Sequence, residues 1–193
     1  MRGLNIIMIG PPCSGKGTHS KLIADNFNFQ HISTGEIFRE EISKKTALGV
    51  LAQSLIDHGN LIPDSVTMKV LYKKVKSFET DTNLLFDGVP RTLPQAEILD
   101  KFIKKHNLKI DLVIFLFSPE DVLVHRMIKR SQKENRADDT LSSFKKRIKV
   151  YYEQTHILKD YYQKQGILSE VSTDAPIEDV AKIISKIIKD KLL

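Results

Sequence analysis

The sequence predicts a three-layer α/β domain built on a parallel five-stranded sheet. Three observations carry this. Short apolar, β-branched runs end in Gly, Pro or Ser, helical patterns alternate with them, and the first run opens into a Gly/Pro turn followed directly by a helix. Strands buried on both faces read as continuous apolar runs rather than alternating ones.

Asn5-Ile6-Ile7-Met8-Ile9, closed by Gly10, is the first run, and Lys16 to Asn26 the helix after it. A second strand is expected at Phe29 to Ile32. Asn83 to Asp87, stopped by Gly88, is a third, and Leu112 to Phe117, stopped by Ser118-Pro119, a fourth. Gly166 to Val171 is a weaker fifth. Pro94 to Lys105, with Pro near its start, Leu141 to Lys164 and Ile177 to Ile188 read as helices. Two stretches break the alternation. Thr34 to Lys76 is helical in pattern, with a break at Gly59-Asn60-Leu61-Ile62-Pro63, and Ser131 to Asp139 is polar without a period. Both are expected as insertions at the ligand-binding strand ends. The 193 residues suit a single domain.

Composition narrows the function classes. Apolar residues make up 41% and charged residues 28%, which excludes a disordered chain. Met1 to Ile9 lacks the pattern of a secretory signal, and no window holds the ~18 apolar residues of a membrane span. Cys13 is the only cysteine, so neither an internal disulfide nor a cysteine metal cluster is expected, and the setting reads as cytosolic. The net charge is +6. Lysines are scattered along helices as solvated faces are. With no Trp and no aromatic-rich basic strand, a nucleic-acid platform is not predicted.

Gly10-Pro11-Pro12-Cys13-Ser14-Gly15-Lys16 fits Gly-x4-Gly-Lys between a strand and a helix, the context of a P-loop. Glycines let the backbone curl so that successive N–H groups face phosphate oxygens. The following helix adds its positive end, and Lys16 a mobile charge. The residue after the lysine is usually a hydroxyl that binds Mg²⁺. Here it is Gly17, with the hydroxyl one later at Thr18. Mg²⁺ would then rest on phosphates, water and a carboxylate elsewhere. Asp87 ends an apolar strand as such an aspartate does, and is equally readable as a turn residue before Gly88.

Gly-Lys-Gly-Thr, together with His31-Ile32-Ser33-Thr34-Gly35-Glu36-Ile37-Phe38-Arg39, Phe86-Asp87-Gly88-Val89-Pro90-Arg91-Thr92-Leu93-Pro94-Gln95-Ala96, and Arg126-x3-Arg130 leading to Arg136-Ala137-Asp138-Asp139 and Arg147, resembles the adenylate kinases in their short-lid form. The resemblance runs from Asn5 to about Lys189. It implies the P-loop NTPase fold with strand order 2-3-1-4-5 and two mobile insertions: an NMP-binding segment at about 34–62 and a short lid at about 130–136. It implies transfer of the terminal phosphoryl group of ATP to AMP, with Mg²⁺, without zinc, by a cytoplasmic monomer. ATP would meet Gly10, Cys13, Ser14, Gly15, Lys16, Gly17, Thr18, Arg126, Arg130 and Ala175. AMP would meet Thr34, Arg39, Asn60, Leu61, Ile62, Gly88, Val89, Pro90, Arg91, Gln95, Arg136 and Arg147. Lys16, Arg91, Arg130, Arg136, Arg147 and Asp87 would serve the reaction, Asp87 through a Mg²⁺-bound water. Asp138 and Asp139 would fasten the closed lid.

The arginines agree. Of seven, all but Arg2 fall on matched positions, in a chain whose 30 basic residues are mostly lysine. The planar guanidinium fork suits phosphate, and phosphoryl transfer asks a protein mainly for alignment and charge neutralisation. Departures from the family pattern stand at Cys13 (usually Gly or Ala), His19, Glu36, Val89 and His156; none removes a phosphate contact. A UMP/CMP kinase would differ at Thr34, Thr92 and Gln95, and a GTP-driven switch would need a hydroxyl at 17 and an Asn-Lys-x-Asp base reader, which this chain lacks.

Overall fold

In the computed structural model, which describes residues 3–134 and 140–192, five parallel strands form one sheet. They are β1 (Asn5–Ile9), β2 (Gln30–Ser33), β3 (Leu84–Asp87), β4 (Leu112–Phe117) and β5 (Leu168–Ser172), in the order β2-β3-β1-β4-β5. The register aligns Ser33, Asp87 and Met8 across one row. The carboxyl ends of β1, β2 and β3 therefore open at one edge, beside the crossover reversal where such sheets bind ligands.

The period-2 geometry of strands sorts the apolar runs onto two faces. Ile7, Ile9, Leu84, Phe86, Val113 and Phe115 pack with α4 (Asp64–Val75), α5 (Leu93–Lys105) and α8 (Leu158–Lys164). Ile6, Met8, Leu85, Leu112, Ile114 and Leu116 pack with α1 (Lys16–Phe27) and α9 (Ile177–Leu192). No described helix is long and apolar enough to cross a membrane.

The stretch after β2 is not one helix. α2 (Thr34–Ser43) and α3 (Ala47–Ile56) form a hairpin with its own small core of Phe38, Ala52 and Ile62. The break at Lys44–Thr46 holds Lys45 at a φ of 52°. The Thr46 hydroxyl restarts the chain by accepting from Gly49 N–H. Glycine at 49 is required, because a Cβ there would lie 2.1 Å from the Glu41 carbonyl.

The sequence expectation for 131–139 is corrected in part: α6 (Glu120–Glu134) continues through Ser131. A solvated polar helix has no apolar stripe to reveal it. The expected helix Leu141 to Lys164 is also divided. α7 (Leu141–Val150) passes into a π-helical turn, Tyr151–Thr155, before α8.

Candidate active site

The loop between β1 and α1 curls around Lys16. Its Nζ donates to the Gly10 carbonyl at 2.7 Å and the Pro11 carbonyl at 2.8 Å. Gly15 sits at φ 86° and Cys13 at φ 63°, both left-handed. Glycine enters that region freely, whereas cysteine does so at a cost. Cys13 is half-buried and packs against Leu123, Met127, Phe144 and Ile148 from α6 and α7, while also facing the cleft. Burial, with Arg91 and Arg130 nearby, pushes Lys16 down to about 8, although Asp87 pulls the other way.

Asp87 closes β3 and is 7% exposed. Burial alone would raise its pKa. The His31 Nε2–H that it accepts at 3.3 Å, together with Lys16 and Arg91, outweighs this and holds the carboxyl below its usual range. A Cβ at Gly17 would lie 3.8 Å from Asp87 Oδ2, so the position lacking the usual hydroxyl faces this carboxylate at van der Waals distance. An ionised, hard oxygen donor there suits Mg²⁺. Among the described residues no group of three or more His, Cys, Asp or Glu could cage a metal, so phosphates and water would complete its shell.

The turn after β3 is built around Gly88, at φ 82°. A Cβ there would meet Thr34 Oγ1 at 2.8 Å and Arg91 Nη2 at 3.0 Å. The Thr34 hydroxyl and the Arg91 Nε–H both donate to the Gly88 carbonyl, at 3.0 and 2.8 Å. Desolvation against the cleft wall, with Arg147 and Arg39 nearby, lowers the pKa of Arg91 although Asp87 pulls the other way, while part of the residue stays exposed. Its N–H donates to Gln95 Oε1 at 2.8 Å, and its carbonyl accepts from the Thr155 hydroxyl at 2.7 Å. The Gln95 amide also donates to Asp64 Oδ1 at 2.7 Å, and Thr92 donates to Asp64 Oδ2 at 3.0 Å.

These pieces surround one cleft of about 600 Å³. Of the sequence-derived residues, Gly10, Cys13, Gly15, Lys16, Gly17, Thr18, Arg39, Asn60, Leu61, Asp87, Gly88, Pro90, Arg91, Arg126, Arg130, Arg147 and Ala175 line it. Ser14, Thr34, Ile62, Val89 and Gln95 are buried behind its wall. Arg136, Asp138 and Asp139 lie outside the described residues. The Arg39 guanidinium folds over Gly35, where a Cβ would sit 3.2 Å from Nη1. Arg126 is clamped by Thr173: Nη1 donates to Oγ1 at 3.1 Å and Nη2 to the carbonyl.

The other departures are explained locally. His19 is 3% exposed with its ring against Gly15, and burial, with Arg126, holds its pKa below the ordinary value. Glu36 pairs with Lys21 at 3.2 Å across the cleft mouth. Val89 is core, and the His156 N–H closes the π-turn on the Tyr151 carbonyl at 2.9 Å. Sequence reasoning misses Thr155, Thr173, Tyr151 and Lys129 on the cleft wall, and Asp64 behind it. The bonding partners of Thr155, Thr173 and Asp64 are distant in sequence, so no spacing marks them. Gly59 is marked by the sequence only as a break. It sits at φ 71° where a Cβ would meet the Ser143 carbonyl at 2.8 Å, so the α2–α3 side rests on α7.

The family model described as Adenylate kinase matches residues 8–167. A protein of Porphyromonas gingivalis named adenylate kinase is 37% identical over 185 residues, covering 96% of this chain and 95% of its own. One of Phocaeicola vulgatus is 39% identical over 188 residues, covering 95% of this chain and 100% of its own. One of Clostridium botulinum is 38% identical over 216 residues, covering 97% of this chain and 100% of its own.

Proposed function

The chain belongs to the adenylate kinase family, and from that premise we propose how its cleft aligns ATP with AMP. The protein is an ATP:AMP phosphotransferase: it passes the terminal phosphoryl group of ATP to AMP, reversibly, giving two ADP. The observation that carries the reading is the convergence of Lys16, Arg39, Arg91, Arg126, Arg130 and Arg147 on one cleft with only Glu36 and Asp87 as acids among the described residues. Such a lining fits a triphosphate beside a monophosphate and the charge spread over a transferring phosphoryl group.

The residue roles are our reading. ATP phosphates lie on the loop from Gly10 to Thr18, with Lys16 leaving the Gly10 and Pro11 carbonyls to meet them. Arg126, with Ala175 nearby, holds the base end, and Arg130 the phosphates. Arg39 and Arg91 grip the AMP phosphate, and Arg136 and Arg147 span the group in transfer. Thr34, Gly88, Val89, Pro90 and the segment Asn60 to Ile62 frame the AMP base. Gln95 has one amide N–H and one Oε1 lone pair left after its bonds to Asp64 and Arg91, enough to read an adenine edge. Mg²⁺ would enter with ATP, neutralise phosphate charge and be steadied through water by Asp87. The α2–α3 hairpin within 34–62 and the lid at about 130–136 close over the substrates and exclude water, the competing acceptor. The family supports a monomer acting in the cytoplasm.

A coupled assay with AMP, CMP, UMP and GMP as acceptors tests the reading. AMP should lead CMP and UMP by at least ~100-fold in kcat/KM, because a site built to hydrogen-bond one base rejects others that leave it unpaired. CMP or UMP as the better acceptor would refute the assignment of Gln95.

A further inference from the structure

We propose that Thr155 is a positioning residue for Arg91, one half of a two-sided brace whose other half is Asp64 acting through Gln95. The inference deepens the functional reading and rests on Arg91 as a grip on the AMP phosphate.

The brace is read from three bonds. A long side chain on a loop is placed by its backbone as much as by its own rotamer. Here the Arg91 peptide groups are held from opposite sides: the carbonyl accepts from Thr155 Oγ1 at 2.7 Å, and the N–H donates to Gln95 Oε1 at 2.8 Å. The Nε–H is tied to the Gly88 carbonyl at 2.8 Å, leaving the terminal nitrogens to face the cleft. The Gln95 amide is in turn fixed, because its NH₂ must face the Asp64 carboxylate and its oxygen the Arg91 N–H. Asp64, Thr92, Gln95 and Arg91 thus form one chain of bonds from the start of α4 to the cleft.

Thr155 reaches this place because of the π-turn. Arg147, Tyr151 and Thr155 all line the cleft at intervals of four residues. An ordinary α-helix of 3.6 residues per turn would rotate each such step by about 40°, carrying the third away from the first. The wider turn, marked by the i→i+5 bond from His156 N–H to the Tyr151 carbonyl, removes part of that rotation and keeps Thr155 aimed at Arg91. Thr155 is 6% exposed, so its hydroxyl has little water to bond instead. The Arg91 bond joins residues 64 apart. The π-turn thereby sets the register of the helix bearing Arg147 against the loop bearing Arg91.

The test is a double-mutant cycle. Thr155→Val removes the hydroxyl and keeps the shape, and Thr155→Ser keeps the hydroxyl. In the wild-type background, Thr155→Val should lower kcat/KM for AMP by about tenfold, as residues coupled through one bond network do. Thr155→Ser should stay within about threefold, and KM for ATP within about twofold, for both. In an Arg91→Ala background Thr155→Val should cost less than about twofold, since the group it places is gone. A cost that is equal in both backgrounds, an equal rise of both KM values, or a silent Thr155→Val would overturn the inference. The same cycle with Asp64→Leu covers a Thr155→Val protein that does not fold, with the same outcomes deciding. Wild-type protein without AMP-dependent ADP formation would overturn the functional reading itself; an active wild type with a silent cycle would overturn the brace alone.

Discussion

Replacing Cys13 by alanine and, separately, by glycine isolates the cost of its backbone. Cys13 sits at φ 63°, and its side chain packs against Leu123, Met127, Phe144 and Ile148. Both replacements remove the sulfur and its contacts, so that loss cancels between them. What remains is the backbone. Alanine keeps a left-handed residue that costs about 1–2 kcal/mol, which glycine avoids. Glycine gives back roughly 0.5–1 kcal/mol as extra freedom of the unfolded chain. The balance leaves Cys13→Gly ahead of Cys13→Ala by about 0.5–1 kcal/mol, or roughly 2 °C in Tm for a chain of this size. Thermal melts of the two variants, without nucleotide and in one buffer, measure it. Cys13→Ala equal to or more stable than Cys13→Gly would refute the left-handed assignment. Both variants should keep near-wild-type turnover, because the loop's N–H groups rather than the thiol meet phosphate.

Three further outcomes are expected. Arg91→Ala should lower kcat/KM for AMP by at least ~100-fold, about 2.7 kcal/mol, and Arg91→Lys should recover little because the fork is lost; a Lys variant near wild type in steady-state kinetics would contradict this. Lys16, pushed down to about 8 from 10.5, binds fewer protons folded than unfolded between those values, so its burial costs stability at neutral pH and the cost fades as pH rises. Lys16→Met should therefore be inactive yet about 1 kcal/mol more stable at pH 7, with the gap in urea midpoint narrowing toward pH 10. Asp87 has the opposite sense: its lowered pKa stabilises the fold above the ordinary carboxyl value, and that stability is lost as pH falls through the folded one. Asp87→Asn should flatten the acid limb of stability below about pH 4, read from urea midpoints at successive pH values.

The sheet is legible in the sequence because its strands are buried on both faces. Ile6 to Ile9 and Leu112 to Leu116 have no exposed side to blur the apolar run. The phosphate loop and the arginines are legible because their chemistry demands particular residue types. Features that leave periodicity intact stay hidden. The π-turn at Tyr151–Thr155 inserts a wider turn into a pattern that still reads as helical. The α2–α3 break has neither Gly nor Pro within Lys44–Thr46, and only the Thr46 cap marks it. Asp64, Thr155 and Thr173 act on partners 28 to 64 residues away, at separations that carry no signal along the chain. Gln95 is legible from its motif, but the bonds to Asp64 and to the Arg91 N–H that fix its amide carry no mark in the sequence.

The seat of Gly59 on α7 joins the side of the cleft that bears Asn60 and Leu61 to the helix that bears Arg147. A ligand that strengthens this contact from one side strengthens binding on the other by an equal factor, since a coupling free energy belongs to the pair and not to either member. Position 59 is then a dial on cooperativity. A side chain that wedges the contact open would weaken how strongly each nucleotide senses the other, even though residue 59 contributes no side chain to either.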